Sequence, residues 1–150
     1  MNIKINFSEN RYKHCYAVGK VMYEYSKKIL NWPEKKAIEM FVLGNMHDIG
    51  YELDPDPFKH EIIIADNIND SYKYYNEIKY HSELQNIYES EELDLLYFAD
   101  MVVDGYGNIC TFEERLLDLK NRHGENSKVY IESEKIGKYL VEKGFANIKH

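Results

Sequence analysis

A tandem of histidine and aspartate, His47-Asp48, stands downstream of His14 and upstream of Asp100. Imidazole nitrogen and carboxylate oxygen together suit Fe, Mn, Co, Ni or Zn, whereas Ca selects all-oxygen shells. Adjacent side chains on an ideal helix point about 100° apart, so both grip one ion only where the local backbone cooperates. His14 sits in an otherwise apolar stretch, and Asp100 closes the run Leu95-Leu96-Tyr97-Phe98-Ala99. A carboxylate in such a run is expected to be largely buried, and a buried charge needs a cation or several donors. Residue chemistry alone leaves two readings open. One is a metal centre; the other is a histidine at a helix C-terminus and an aspartate held by a cap or a salt bridge.

The elements that must position these residues are helical. Ser8 is placed to cap a first helix reaching about Leu30, which carries His14. Pro33 suits the first turn of a second, ending with His47-Asp48 and stopped by Gly50. Prolines 55 and 57 keep the acidic stretch Glu52 to Pro57 out of helix. A third helix then starts near Pro57 and contains His60, and a fourth spans 70–80 and ends at His81. Leu93, Leu95, Leu96, Phe98, Met101 and Val102 mark a fifth, bearing Asp100. Thr111-Phe112-Glu113-Glu114 is a capping box that opens a sixth, closed by Gly124. A last helix runs from about Ser127 to Lys143, with Gly144 as its stop. The expectation is an all-α bundle of about seven helices, a single domain over 1–150 with its site within about 11–104.

Composition narrows the function. An apolar fraction of 44 % over 150 residues fits a globular chain rather than disorder. A formal charge of −7 argues against a nucleic-acid partner, since phosphate backbones select basic surfaces. No apolar run approaches the roughly 20 residues that cross a bilayer, so no membrane partner is expected. Met1 to Phe7 lacks a signal-peptide core, and Cys15 and Cys110 form no spaced framework. Reduced thiols and a cytoplasmic location follow as expectations. His123 and His150 lie in polar surroundings and read as solvated. The cluster Tyr72, Tyr74, Tyr75 and Tyr80 reads as a packing face, against a neighbouring helix or a second subunit, so a homodimer is compatible.

The order His14, His47-Asp48, Asp100, with Leu43-Gly44-Asn45-Met46-His47-Asp48-Ile49-Gly50 and Tyr97-Phe98-Ala99-Asp100, resembles the HD-domain metal-dependent phosphohydrolase superfamily. The matching stretch runs from about Arg11 to Asp100. The tail from Asp104 to Leu116 is similar to small stand-alone bacterial members of the His-Asp-Ile-Gly type. The resemblance implies the HD-domain helical bundle, with His14, His47, Asp48 and Asp100 as metal ligands. His60 and His81 stand where binuclear members ligate a second ion, with Asp48 bridging. It implies one or two divalent transition-metal ions (Fe, Mn, Co or Ni, with Mg or Zn also compatible). The implied activity is hydrolysis of a nucleotide or other small phosphate-containing substrate, as monoester or diester, through a metal-activated water.

On that resemblance Asp48 and Arg11 are the catalytic candidates, and Arg11, Tyr51 and Lys59 the substrate-binding ones. Arg11 lies one turn before His14, on the same helix face, where a guanidinium can clamp a phosphate bidentately. Tyr51 stands where many members carry lysine, and can stack on a base or donate its hydroxyl. Lys79, Arg115 and the loop acids Glu52, Asp54 and Asp56 are weaker candidates. Two other classes share the ligand pattern: a di-iron oxygenase of the same superfamily, and a non-enzymatic, metal-stabilised nucleotide-binding sensor.

Overall fold

Helix α1 (Glu9–Lys28) buries His14, Cys15, Val18, Gly19, Val21, Met22 and Ser26. Their spacing is the helical stripe of an element packed along one side. Glu9 in its first turn and Lys27 and Lys28 in its last complement the helix dipole. The chain then reverses through Asn31, whose φ of 57° is one that asparagine tolerates better than most side chains. Helix α2 (Glu34–Met46) runs back along α1, entered by Pro33 at φ −60°. The computed structural model describes residues 9–48 and 72–148.

Glycine decides how closely this hairpin packs. A Cβ on Gly44 would lie 2.5 Å from Gly19 Cα and 2.6 Å from Gly19 N. The two backbones therefore touch where any larger side chain would separate them. At one end of the hairpin the Tyr23 hydroxyl donates to Glu34 at 2.6 Å, and Lys27 pairs with the same carboxylate. At the other, His14 meets His47 and Asp48.

Four further helices complete the described chain: α3 (Tyr75–Tyr80), α4 (Glu91–Met101), α5 (Phe112–His123) and α6 (Lys128–Glu142). Helix α4 is the core element, burying Leu93, Leu95 to Ala99 and Met101. Burial on nearly every side explains why its sequence is apolar without being amphipathic. Phe98 stacks on Phe145 at 5.0 Å and meets Tyr25 at 4.9 Å and Phe112 edge-on at 6.2 Å. Those contacts bring α1, α4, α5 and the segment after α6 to one point.

Local capping bounds the later helices, at Thr111, Gly124, Ser127 and Gly144 as the sequence predicts and at Ser90 in addition. Ser90 accepts from Leu93 N at 2.9 Å, and Thr111 and Glu114 form the capping box, at 3.1 and 3.0 Å. Ser127 accepts from Tyr130 N at 3.2 Å. Gly124 (φ 94°) and Gly144 (φ 96°) follow α5 and α6 in the left-handed region.

The fold is all-helical among the described residues; outside the helices an isolated bridge pairs Val103 with Ile109. Six helices stand against about seven expected, and the one predicted from Pro57 lies outside the described residues, as do Ser8 and Gly50. Three boundaries differ from expectation, the first being that α2 ends at Met46, before His47-Asp48. Helix α1 ends at Lys28, before Leu30, and α3 starts at Tyr75 rather than 70. No side chain caps α3, and six residues are too few to hold a helix by propensity. Tertiary contacts hold it: buried Glu77 accepts from the Tyr88 hydroxyl at 2.5 Å and the Ser90 hydroxyl at 2.7 Å. Tyr74, just before α3, is buried and donates to Glu39 on α2. Cys15 and Cys110 are buried and not joined in a disulfide, and no described helix is long and apolar enough to cross a membrane.

Two glycine substitutions should separate backbone contact from helix propensity. Alanine is favoured over glycine inside a helix by about 1 kcal/mol. At Gly137 an added Cβ meets only Met101 Cε, at 3.5 Å, so Gly137→Ala should raise stability by about 0.5–1 kcal/mol. At Gly44 the opposing atoms are backbone, so overpacking of about 1–3 kcal/mol should outweigh the propensity gain and leave a net loss. Chemical denaturation of both variants checks the opposite signs; stabilisation by Gly44→Ala would contradict the close approach.

Candidate metal centre

Three histidines arrive on three different helices, and a backbone carbonyl orients each. His47 is the C-cap of α2, and its Nδ1 lies 2.6 Å from Gly44 O. His81 is the C-cap of α3, and its Nδ1 lies 2.6 Å from Ile78 O. Both use a carbonyl three residues back, which the end of the helix leaves without an amide partner. His14 reaches across the fold, Nδ1 to Asp104 O, at 2.8 Å. A carbonyl only accepts, so each Nδ1 carries the hydrogen and donates it, and each Nε2 is the nitrogen left for another partner.

These Nε2 atoms converge on two carboxylates. His14 Nε2 lies 2.9 Å from Asp100 Oδ1 and 3.4 Å from Asp48 Oδ2. His47 Nε2 lies 3.2 Å from Asp48 Oδ2 and 3.5 Å from Asp100 Oδ1. His81 Nε2 approaches the other oxygen of Asp48, Oδ1, at 3.6 Å. Asp48 thus faces His14 and His47 with one oxygen and His81 with the other. Both adjacent side chains reach the cluster just past the end of α2 at Met46, although His47 itself keeps helical backbone angles (φ −61°, ψ −30°).

Donor atoms of His14, His47 and Asp48 all lie within 4.8 Å of one another, and all three residues are buried. This cluster could hold a metal ion. Its fit rests on unsatisfied atoms. His47 Nε2 and Asp100 Oδ1 are buried and take no hydrogen bond among the described residues. Both atoms have ion-pair neighbours at 2.9–3.5 Å but no well-formed hydrogen bond, and a cation shared by both would complete their coordination. The mixed nitrogen and oxygen donors suit a divalent transition metal.

Electrostatics follow the same geometry. Burial disfavours a charged His47, but Asp48 and Asp100 outweigh it and hold its pKa well above the usual imidazole value. Burial likewise opposes ionisation of Asp100, yet His14 and His47 hold its carboxyl well below the usual carboxylate range. Neighbouring Cys15 is pushed up to about 12, chiefly by burial, so it stays a neutral thiol at pH 7 and a poor ligand.

Two arginines flank the carboxylates. Arg11 Nη1 stands 3.7 Å from Asp48 Oδ2, on the helix face shared with His14, where the sequence places it. Arg115 on α5, a weaker candidate from the sequence, is buried, with Nη2 at 3.7 Å from Asp100 Oδ1. Asp100 is less enclosed than its apolar run suggests: its side chain is 30 % exposed although Oδ1 is sealed. Lys79 stays at the edge of α3, its Nζ over the rings of Tyr75 and Tyr80. His60, Tyr51 and Lys59 lie outside the described residues, as do Glu52, Asp54 and Asp56. His123 is exposed as expected, and His150 falls outside the described residues.

Sequence reasoning missed the Asp104 carbonyl and the burial of Arg115. The first contact spans 90 positions and uses a main-chain atom, which leaves no mark in residue type. For Arg115 only its place one residue past the capping box hinted at a defined orientation. Comparison of the chain with family models, curated proteins and solved structures finds no match.

A cation and a proton compete for His47 Nε2, and the carboxylates favour that proton. Cation affinity should therefore strengthen as pH rises from about 5 to 8, whereas Asp100, already ionised, adds no dependence in that range. Titration calorimetry with Mn²⁺ across this series checks the sign, and affinity falling with pH would contradict it. His47→Ala and Asp48→Ala should each abolish measurable binding.

Proposed function

We propose that this chain is a metal-dependent phosphohydrolase acting on a nucleotide or other small phosphate ester. The observation that carries the reading is the convergence of the Nε2 atoms of His14, His47 and His81 on Asp48 and Asp100 beside the guanidinium of Arg11. His47 Nε2 and Asp100 Oδ1 are buried, ion-paired within the cluster but without a well-formed hydrogen bond, and lie 3.5 Å apart, placed to share a cation.

When bound, a divalent cation supplies Lewis acidity toward a phosphoryl oxygen and toward the attacking water. His14, His47 and Asp48 would hold it, with Asp100 and His81 at the margins of the same cluster. The Asp104, Gly44 and Ile78 carbonyls keep the three imidazoles in the Nδ1–H form, so ligand orientation is set before any substrate arrives. Phosphoryl transfer asks mainly for positioning and charge stabilisation, and a low-dielectric setting strengthens both. Arg11 is the residue suited to hold substrate: its guanidinium sits at the carboxylates, its side chain is 32 % exposed, and its fork matches phosphate oxygens. Asp48, facing imidazoles with both oxygens, is the residue whose loss should disturb the centre most.

A panel of phosphate monoesters and diesters, assayed with added Mn²⁺, Fe²⁺, Co²⁺, Ni²⁺ or Mg²⁺, tests the reading. Turnover of at least one ester class is expected, with loss of at least about 100-fold in kcat/KM on His47→Ala, about 2.7 kcal/mol of transition-state stabilisation. Arg11→Ala should keep metal binding and weaken the substrate step. Metal binding without turnover of any ester would overturn the proposal in favour of a binding role.

A further inference from the structure

Arg115 is more enclosed than a surface helix residue of its type needs to be. It lies on α5, is 8 % exposed, and spends its guanidinium on α4 rather than on solvent. Its Nε donates to the main-chain carbonyl of Asp100 at 3.2 Å. Its Nη2 stands 3.7 Å from the Asp100 carboxylate, and its Nη1 3.6 Å from Asp118 on the next turn of α5. That Nη1 is buried and takes no hydrogen bond among the described residues.

Asp100 belongs to the last turn of α4, so its carbonyl has no intrahelical amide to accept from. Arg115 supplies the missing donor and places a cation at the negative end of the helix dipole. The same group also borders the carboxylate, but at 3.7 Å it stands beyond hydrogen-bond reach of Oδ1. It therefore constrains the residue that carries the oxygen without capping the oxygen itself. Asp118, in turn, holds the guanidinium from its far side.

We propose that Arg115 is a positioning residue of the metal centre, fixing both the main chain and the carboxylate of Asp100 so that Oδ1 faces His14 and His47. The proposal rests on the metal-centre reading above. It also gives α5 a role that its packing alone does not require, tying that helix to the ligand at the end of α4.

A role limited to helix capping would lower stability and leave metal affinity alone, so the test compares the two. Mn²⁺ affinity and thermal midpoint are measured for the full chain and for Arg115→Met, Arg115→Lys and Ser127→Ala. Ser127→Ala removes the N-cap of α6 and serves as a destabilised control whose own hydrogen bonds, with Gly124 and Tyr130, involve no residue of the centre. Arg115→Met should weaken Mn²⁺ binding about 10–100-fold, the range seen when groups that orient metal ligands are removed. Arg115→Lys keeps the charge but loses the fork, and should fall between Met and the native residue. Ser127→Ala should lower the midpoint and bind Mn²⁺ like the unaltered protein. Native affinity in Arg115→Met, or equal weakening in Ser127→Ala, would overturn the proposal. Absence of Mn²⁺ binding in the unaltered protein would instead overturn the metal-centre reading.

Discussion

The approach of Gly19 to Gly44 sets the geometry on which the candidate centre depends. With no side chain at either position the two helices of the hairpin meet backbone to backbone. His14 lies five residues before one glycine, and His47 three residues after the other, so the antiparallel register brings them to the same end. Their rings stand 5.4 Å apart as a result. A wider hairpin would leave the same residues on the same helices with their Nε2 atoms too far apart to share one carboxylate. Close packing of this kind transmits small changes in volume as rigid displacements rather than absorbing them.

Charge is the second constraint. Two carboxylates, three imidazoles and two guanidinium groups gather at one end of the helices, an arrangement whose desolvation is costly unless the groups satisfy one another. The imidazoles are disciplined by carbonyls, the carboxylates by imidazoles, and the outer edge by Arg11 and Arg115. Two of the three carbonyls come from helix ends, where such groups have no amide partner in any case. The C-termini of α2 and α3 thus solve two problems with one contact: the helix end is satisfied and the histidine is aimed. This repeated device places His47 and His81 with ring centroids 5.3 Å apart although they come from separate helices.

Helix α4 supplies the rigid backing. Enclosed by Tyr25, Phe112 and Phe145 around Phe98, it has little freedom to rotate, so Asp100 at its end keeps one orientation. Its N-terminal cap is tied to α3 through Ser90 and Glu77, which connects the element bearing His81 to the one bearing Asp100. Short α3 depends on these contacts, which is why its start at Tyr75 could not be read from tyrosine spacing alone.

What the amino-acid sequence determined was local. Ser90, the Thr111–Glu114 box, Ser127, Gly124 and Gly144 bound their helices through contacts within a few residues, and such contacts are written directly in residue type. The ligand chemistry was legible for the same reason, since imidazole and carboxylate declare what they can bind. The all-α class followed from apolar spacing, and the place of Arg11 beside the cluster from its position one turn before His14. Only the tertiary structure decided which nitrogen of each imidazole faces the carboxylates, that Asp104 contributes a main-chain oxygen, and that Arg115 is buried against Asp100. The contacts of Asp104 and Arg115 join residues 90 and 15 positions apart and use backbone atoms common to every residue, so they exist only once helix packing has brought the segments together.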